Sequence, residues 1–181
     1  MSKYLVLSDI HGSIKYAKLA FSKYEQYGCK KILILGDILY HGPRNPLPDG
    51  YEPKKVIEML NGIKDKILCV RGNCDCEVDQ MVLSFPIMAD YCLLFVNGRT
   101  VFATHGHIHN EEKLPALNNG DILLHGHTHV PVCKQTDCYV YMNPGSVSIP
   151  KGGSDHSYMT LTDGLFEWKT LDGKTYNKFN A

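Results

Sequence analysis

Short apolar segments that end directly in acidic, amide or imidazole side chains recur along this sequence and constrain its fold more than any other feature. The clearest is Ile32–Leu35, four apolar residues that predict a strand buried on both faces. Gly36 follows, and Asp37 is then left at the carboxyl end of the strand. Open α/β sheets hold their ligands at this end of their strands. The segment therefore predicts a ligand site that includes Asp37.

Four further predicted strand ends carry polar side chains of the same kind. Together with Asp37, the set consists of Asp9, His11, Asn73, His105, His127 and His129. A single histidine at a strand end is more often solvated than a ligand, but five strand ends with this pattern are difficult to explain as solvated loops. Two carboxylates, four imidazoles and an amide oxygen suit Mn²⁺, Fe²⁺, Zn²⁺ or Co²⁺ rather than Ca²⁺. No cysteine belongs to the set, which argues against a closed structural zinc site.

The order of predicted elements indicates two sheets. The first half alternates strands at 3–8, 32–35 and 67–70 with helices at 14–27, 53–62 and 76–83, which predicts a parallel sheet. The second half has a strand at 122–124 and hairpins that pair 91–96 with 100–104, 130–134 with 139–142, and 157–161 with 165–170, which predict an antiparallel sheet. Burying both sheets favours an α/β fold, or α+β by its mixed sheets: a two-sheet sandwich flanked by helices, with the metal site at the carboxyl ends of the strands. We expect residues 1–181 to form a single domain.

Charge and cysteine usage exclude several classes of protein. Lysine plus arginine equals aspartate plus glutamate at 19 each, so the net charge is zero. A large nucleic-acid or membrane footprint rests on basic excess and is not expected. The amino-terminal apolar run is too short for a signal peptide, and no run approaches the ~18 residues of a membrane span. The seven scattered cysteines predict a reduced, cytoplasmic protein.

Five short motifs appear in a characteristic order along the chain. They are Asp9-Ile-His11, Gly36-Asp37, Gly72-Asn-Cys-Asp75, His105-Gly-His107 and Gly126-His-Thr-His129. In this order the motifs resemble the signature of calcineurin-like metallophosphoesterases, and the resemblance runs from about residue 3 to residue 150. The stretches 41–45 and 143–151 make the chain most similar to the small bacterial YfcE-type phosphodiesterases of that family.

The resemblance implies a centre of two divalent transition-metal ions, with Mn²⁺ as the first choice and Fe, Zn, Co or Ni as alternatives. One ion would take Asp9, His11, Asp37 and His129, and the other would take Asp37, Asn73, His105 and His127. Asp37 would bridge the two ions. The implied reaction is hydrolysis of a small phosphodiester by in-line attack of a hydroxide that both ions share. Asn73, Cys74, Asp75 and His105 are the implied catalytic residues.

Cys74 departs from the family pattern. Many members carry a histidine at this position, and that imidazole is thought to assist the leaving group. A thiol is a poor hydrogen-bond donor. Cys74 therefore either fills space or leaves the enzyme without a strong general acid, in which case leaving groups that depart unaided are preferred.

Two further assignments concern residues near the motifs. Asp75 either orients a ligand imidazole or forms a turn. The proline-rich loop at 40–53 follows a site-bearing strand directly, and we expect it to be stiff and functional. Its His41 and Arg44 are predicted substrate contacts, Arg44 because a guanidinium can bind a phosphate with two hydrogen bonds.

The polar residues left over have less specific expectations. His107 is expected to support a ligand or to be hydrogen-bonded within the structure, and His125 to lie in the core or to be hydrogen-bonded. His109 and His156 are expected on the surface. Arg71 is expected to pair with a nearby carboxylate.

Three other functions compete with the phosphodiesterase. A non-catalytic scaffold of the same fold, similar to a retromer subunit, is disfavoured because all seven ligand positions hold competent residues. A nuclease is disfavoured by the short chain and by its zero net charge. A phosphomonoesterase remains an alternative. Exposed edge strands in the C-terminal hairpins favour a homo-oligomer.

Overall fold

The computed structural model describes residues 3–181, which form two β-sheets, three α-helices and a short 3-10 helix at Lys64–Lys66. The strands are β1 (Lys3–Leu7), β2 (Lys31–Ile34), β3 (Ile67–Cys69), β4 (Tyr91–Val96), β5 (Arg99–Thr104), β6 (Asp121–His125), β7 (Val132–Gln135), β8 (Tyr139–Asn143), β9 (Ser157–Thr162), β10 (Leu165–Thr170) and β11 (Thr175–Asn180). The helices are α1 (Ile14–Gln26), α2 (Pro53–Asn61) and α3 (Glu77–Val82). Among residues 3–181, none of the helices is long and apolar enough to cross a membrane.

The first sheet has six strands in the order β11-β10-β9-β1-β2-β3. Strands β1, β2 and β3 are parallel, as predicted, but β9 pairs antiparallel with β1. The third predicted hairpin, β9–β10, therefore extends the first sheet, and β11 adds an edge strand that was not predicted. Its sequence, Thr-Tyr-Asn-Lys-Phe-Asn, is mostly polar and exposed, which explains why apolar periodicity did not reveal it.

The second sheet has five strands in the order β4-β5-β6-β8-β7. The prediction of an antiparallel sheet was wrong for its centre, since β5 pairs parallel with β6 and β6 pairs parallel with β8. The chain leaves β6, forms β7 at the edge and returns as β8 beside β6. Local turn signals predict a hairpin correctly but carry no information about which strand it will pair with outside the hairpin.

The core lies in two layers, one on each face of the first sheet. Between the sheets, Val6 and Leu33 pack in one cluster with Ile122 of the second sheet. On the other face, Leu5 and Ile32 pack in a second cluster with helix residues of α1 and α2. Both faces of β1 and β2 are therefore covered, which accounts for their uninterrupted apolar sequences. The predicted fold class, a two-sheet sandwich with flanking helices, is confirmed.

Local sequence signals set the ends of the two long helices. Ser13 caps α1, and its hydroxyl accepts a hydrogen bond from the Tyr16 N–H at 3.3 Å. Pro53 occupies the first turn of α2, where its missing N–H removes no helical bond. The segment between β1 and α1 is held against the residues that follow β2, because its His11 and Gly12 N–H groups donate to the carbonyl oxygens of Asp37 at 2.9 Å and Ile38 at 2.8 Å.

Candidate metal centre

The structure brings all seven predicted ligands together at one edge of the sandwich. They follow five strands, β1, β2, β3, β5 and β6. Asp9, His11 and His105 are fully buried, and Asp37 and His129 are 2% exposed. The two remaining residues of the set, Asn73 and His127, lie nearer the surface and open the site to solvent.

Asp37 stands between two groups of histidines. Its Oδ2 atom lies 3.7 Å from Nε2 of His11 and 3.5 Å from Nε2 of His105. On the first side, His11 Nε2 lies 3.3 Å from His129 Nε2 and 3.7 Å from Asp9 Oδ1. This group corresponds to the ligand set expected for one ion, and Asp37 faces into it.

The second group lies on the other side of Asp37. Here His105 Nε2 lies 3.1 Å from Asn73 Oδ1 and 3.2 Å from His127 Nδ1. The donor atoms of Asp9, Asp37 and His105 also lie within 4.8 Å of one another, so Asp9 borders both groups. One compact array of oxygen and nitrogen ligands thus extends from His129 to His127.

Main-chain carbonyl groups fix the orientation of three of the imidazoles. The Nδ1 atoms of His11, His105 and His129 lie 2.7, 2.6 and 2.6 Å from carbonyl oxygens of Tyr40, Leu35 and Ile149. A carbonyl oxygen can only accept, so each Nδ1 carries the proton and each Nε2 directs a lone pair into the site. This is the usual outer-sphere support of metal-binding histidines.

The array has an excess of acceptors that a cation would satisfy. Asp9 Oδ1 is buried and has no hydrogen-bond partner within residues 3–181, although His129 Nε2 lies 3.4 Å away. The other oxygen of this carboxylate accepts from Ser8 Oγ at 2.6 Å and from the His127 N–H at 3.1 Å. An unpartnered buried carboxylate oxygen is costly in an apolar interior. The donor set therefore fits divalent transition-metal ions.

The pKa shifts of Asp9, His11 and His127 favour the protonation states that bind a metal ion. Burial by itself raises the pKa of Asp9, but the neighbouring His129, His105 and His11 hold it well below its usual range. Burial lowers the pKa values of His11 and His127, which favours the neutral ring that a metal needs. His129 differs: burial lowers its pKa, but Asp9 beside it raises the pKa overall.

The backbone is strained at five of the ligand positions. Positive φ angles occur at Asp9 (57°), His11 (47°), Asp37 (55°), His127 (66°) and His129 (61°). Non-glycine residues rarely adopt this conformation, which costs roughly 1–3 kcal/mol each where it is strained. The other two such residues in the described chain, Asn97 and Asp163, lie in hairpin turns. Left-handed residues thus gather at this site, and the sequence carried no signal for them.

Two glycines allow the strand ends to approach each other. A Cβ atom on Gly36 would collide with the main chain of Gly72, and a Cβ atom on Gly72 would collide with Asp37. Gly36 also has a φ angle of 89°, which disfavours other residues. The glycine in each Gly-Asp and Gly-Asn motif is therefore required by close backbone packing.

Asp75 supports the site in a way that was not predicted. Its carboxylate accepts three main-chain hydrogen bonds, from Asp37 (2.8 Å), Ile38 (2.9 Å) and Gly72 (2.7 Å), rather than bonding to a ligand imidazole. Burial and the nearby Asp37 carboxylate raise the pKa of Asp75 to about 6, although the N–H donors act in the opposite direction. Asp75 therefore holds the backbone that presents Asp37.

Cys74 lies beside Asp37 at the edge of the array. Its N–H donates to Asp37 Oδ1 at 2.8 Å, and its Sγ atom lies 3.3 Å from Nδ2 of Asn73. Burial and the adjacent carboxylates raise the pKa of the Cys74 thiol far above its ordinary value. The thiol consequently stays protonated at neutral pH.

An open cleft of about 590 Å³ lies above the array. Asp37, Asn73, His127 and His129 contribute to its floor, and Arg44 and Lys151 bring two cations to its rim. The role of Arg44 as a substrate contact stays a prediction. Lys151 was not predicted as a residue of the cleft. Its place in the turn-rich stretch 143–151, which is part of the family resemblance, was the available signal.

His41 packs against two aromatic rings of its own loop. Its ring lies edge-on to Tyr40 and Tyr51, with centroid separations of 4.7 and 5.4 Å, and it is not among the residues that line the cleft. Its role as a substrate contact stays a prediction.

The remaining histidines are more enclosed than the sequence indicated. His125 is buried and stacks on Tyr141, as expected. His109 and His156 are half-buried against aromatic rings, which corrects their assignment to the surface. The ring of His107 lies 5.4 Å from that of His105, and burial together with its histidine neighbours lowers its pKa to about 4.

Arg71 pairs with Asp90 at 2.8 Å, as expected.

Residues 3–163 match the family model of the calcineurin-like phosphoesterase superfamily domain. The chain belongs to this superfamily. The assignment made from the five motifs is therefore confirmed, and with it the class of enzyme, a metallophosphoesterase.

Individual relatives place the chain more closely. Phosphodiesterase YfcE of Escherichia coli K12 is 51% identical over 175 residues, which cover 97% of this chain and 95% of YfcE. The solved structure of the E. coli phosphoesterase YfcE has a TM-score of 0.95 and 46% identity, and the match covers 98% of both chains. Vacuolar protein sorting 29 of Cryptosporidium parvum has a TM-score of 0.62 at 18% identity, covering 99% of this chain and 98% of that one, which shows a shared fold alone.

Proposed function

We propose that this protein is a phosphodiesterase that hydrolyses a small organic phosphodiester with the help of two divalent transition-metal ions. The observation that carries the proposal is the position of Asp37 Oδ2 between His11 Nε2 at 3.7 Å and His105 Nε2 at 3.5 Å. Asp9, His11, Asp37 and His129 would hold one ion, and Asp37, Asn73, His105 and His127 the other. Mn²⁺ is the first choice, with Fe, Zn, Co or Ni as alternatives. Similarity to phosphodiesterase YfcE supports the diester as substrate.

Each part of the site has a role in this proposal. When bound, the metal ions supply an activated water nucleophile and offset the charge of the phosphoryl oxygens. Asn73, which lines the cleft, and His105, whose Nε2 atom lies 3.1 Å from Asn73 Oδ1, would act beside the phosphoryl group, and Arg44 and Lys151 at the rim of the cleft would attract the phosphodiester anion. Asp9, His11 and His105 are buried beneath the open cleft, and this burial strengthens their electrostatic interactions. Cys74 keeps its proton at neutral pH and is a poor donor to a departing alkoxide.

The proposal is tested by reconstituting metal-free protein with each metal in turn and measuring hydrolysis of two substrates. With at least one metal we expect bis(4-nitrophenyl) phosphate to be hydrolysed faster than the monoester 4-nitrophenyl phosphate. Faster monoester hydrolysis would favour the phosphomonoesterase. If neither substrate is hydrolysed with any metal, the non-catalytic scaffold is favoured. The fold shared with vacuolar protein sorting 29 does not by itself support that alternative.

Replacing Cys74 with histidine should change how the rate depends on the leaving group. An imidazole can donate a proton where the thiol does not, so Cys74→His should accelerate diesters of poor leaving groups about 10²-fold or more, the usual size of general acid catalysis. Diesters of acidic phenols, which depart unaided, should change little. The measurement is kcat/KM for aryl diesters across a range of phenol pKa values. If plots of log(kcat/KM) against phenol pKa are parallel for the native protein and Cys74→His, Cys74 only fills space.

We also propose that the protein is a homo-oligomer. The edge strand β4 exposes Tyr91, Leu93 and Phe95 by 49%, 44% and 78%, so alternate residues form an apolar row beside unpaired backbone groups. The C-terminal hairpins also contribute edge strands, β7 in the second sheet and β11 in the first sheet. Light scattering should give a multiple of 20.4 kDa for the native chain and a smaller species for Phe95→Lys. A native monomer would refute the proposal.

The cellular setting and organisation are proposals as well. We propose that residues 1–181 form one domain, because β9, β10 and β11 complete the sheet that β1 begins. All seven cysteines are free, which supports a reducing cytoplasm. The zero net charge supports a small-molecule substrate over nucleic acid or membrane. For a single domain we expect one cooperative unfolding transition, and two transitions would contradict it. In cell fractionation we expect the protein in the soluble fraction, and membrane association would contradict a cytoplasmic protein.

A further inference from the structure

A second depression lies next to the metal centre and differs from the cleft in character. This groove, of about 370 Å³, is lined mainly by Tyr40, Tyr51, Ile57, Cys74, Val78 and Val82. It is formed by the loop after β2 together with α2 and α3. Two charged residues, Lys54 and Asp79, also border it, and Asp79 is engaged with the Cys76 N–H at 3.0 Å. The groove is otherwise apolar.

The groove begins where the metal centre ends. Cys74 lines the groove, and its Sγ atom lies within 4.8 Å of the ligand atoms of His11 and Asp37. Tyr40 also lines the groove, and its carbonyl oxygen accepts from Nδ1 of His11 at 2.7 Å. A substituent on a phosphorus atom near Asp37 can therefore reach the groove by passing Cys74.

Several apolar side chains of the groove are exposed to solvent, and a bound apolar group would remove them from water. The exposed fractions are 66% for Val78, 43% for Val82 and 43% for Tyr40. Contiguous exposed apolar surface in a monomer commonly marks a binding site. Two aromatic rings, two valines and the Cys74 side chain provide contacts for an uncharged apolar group, whereas the cations Arg44 and Lys151 lie at the rim of the cleft.

We propose that this groove binds an apolar ester group of the phosphodiester, aromatic for preference, while the phosphoryl group occupies the metal centre. This inference rests on the proposed function and adds the class of alcohol that the substrate carries. A phosphodiester has two ester groups, and the site offers two different surroundings for them. The cleft with Arg44 and Lys151 suits a polar or charged group, and the groove suits an apolar one.

The test measures binding to metal-loaded protein by isothermal titration calorimetry with methylphosphonate, butylphosphonate and benzylphosphonate. The variant Val78→Gln/Val82→Gln makes the groove polar at exposed helical positions. Met81→Gln is the matched control, because Met81 lies on the same helix, is 83% exposed and does not line the groove. For the native protein we expect Kd to fall about tenfold or more from methyl to benzyl, since the larger group buries additional apolar area. The double variant should reduce this ratio to less than about threefold without changing Kd for methylphosphonate, and the control should keep the native ratio.

The outcomes separate the groove from the proposed function. If methylphosphonate binds but benzylphosphonate binds no better, the groove proposal is wrong and the phosphoryl site stands. An unchanged ratio in the double variant also refutes it. If methylphosphonate does not bind metal-loaded protein at all, the proposed function fails and the groove proposal fails with it. If a second copy of the chain covers the groove, the native protein shows no benzyl preference, and the double variant has a smaller mass by light scattering.

Discussion

Replacing Asp37 with asparagine should reduce kcat by at least about a thousandfold, which corresponds to about 4 kcal/mol. Replacing His129 with alanine should cost less, because His129 is assigned to one ion and Asp37 to both. Asp37→Asn removes the negative charge of the carboxylate whose Oδ2 atom lies between His11 and His105. An amide at position 37 can still accept the Cys74 N–H at Oδ1, so the local backbone should persist.

The measurement is kcat at saturating metal, together with the number of metal ions bound per chain. Asp37→Asn should lower the stoichiometry at both sites, whereas His129→Ala should weaken one site and respond to added metal. Thermal unfolding of the metal-free proteins serves as the control for folding. Comparable losses of kcat in the two variants at saturating metal would argue against a bridging Asp37.

Much of the site was predictable because its ligands are marked by a local pattern. Asp37 is separated from Ile32–Leu35 by Gly36 alone, and a carboxylate at the end of a doubly buried strand has few structural explanations. The same holds for His105 after β5 and for His127 after β6. Parallel strands bring their carboxyl ends to one edge, so the gathering of the residues after β1, β2 and β3 follows once these strands are recognised. The approach of His105 and His127 depends on the parallel pairing of β5 with β6, which was not predicted.

The rest depends on contacts between distant segments, which no local pattern reveals. Asp75 was recognised as part of a motif, but its bonds reach the backbone of Asp37, 38 residues earlier in the chain. The arrangement of β5, β6 and β8 depends on which strands fit together after the hairpin has formed. Lys151 reaches the rim of the cleft through its own loop, and the apolar groove is assembled from three separate segments.

Replacing Asp75 with asparagine should destabilise the protein by about 2–4 kcal/mol, as expected when a buried main-chain donor loses its acceptor. The carboxylate accepts from Asp37 and Gly72 at Oδ2 and from Ile38 at Oδ1, so both oxygens are occupied by N–H groups. An amide presents one oxygen and one NH₂, and its NH₂ group would face a main-chain donor. A drop in Tm of roughly 5–15 °C corresponds to this cost in a chain of this size.

Asp163→Asn is the matched control, since Asp163 is exposed in a hairpin turn with a φ angle of 48°, a conformation that asparagine tolerates. It should leave both Tm and kcat unchanged. Asp75→Asn should lower Tm and kcat together, because Asp37 is strained at a φ angle of 55° and Asp75 is the group that holds its backbone there. If kcat fell while Tm stayed the same, Asp75 would act on the chemistry rather than on the position of Asp37. A strained ligand needs a rigid support, and the three main-chain hydrogen bonds to Asp75 provide it without contacting the substrate.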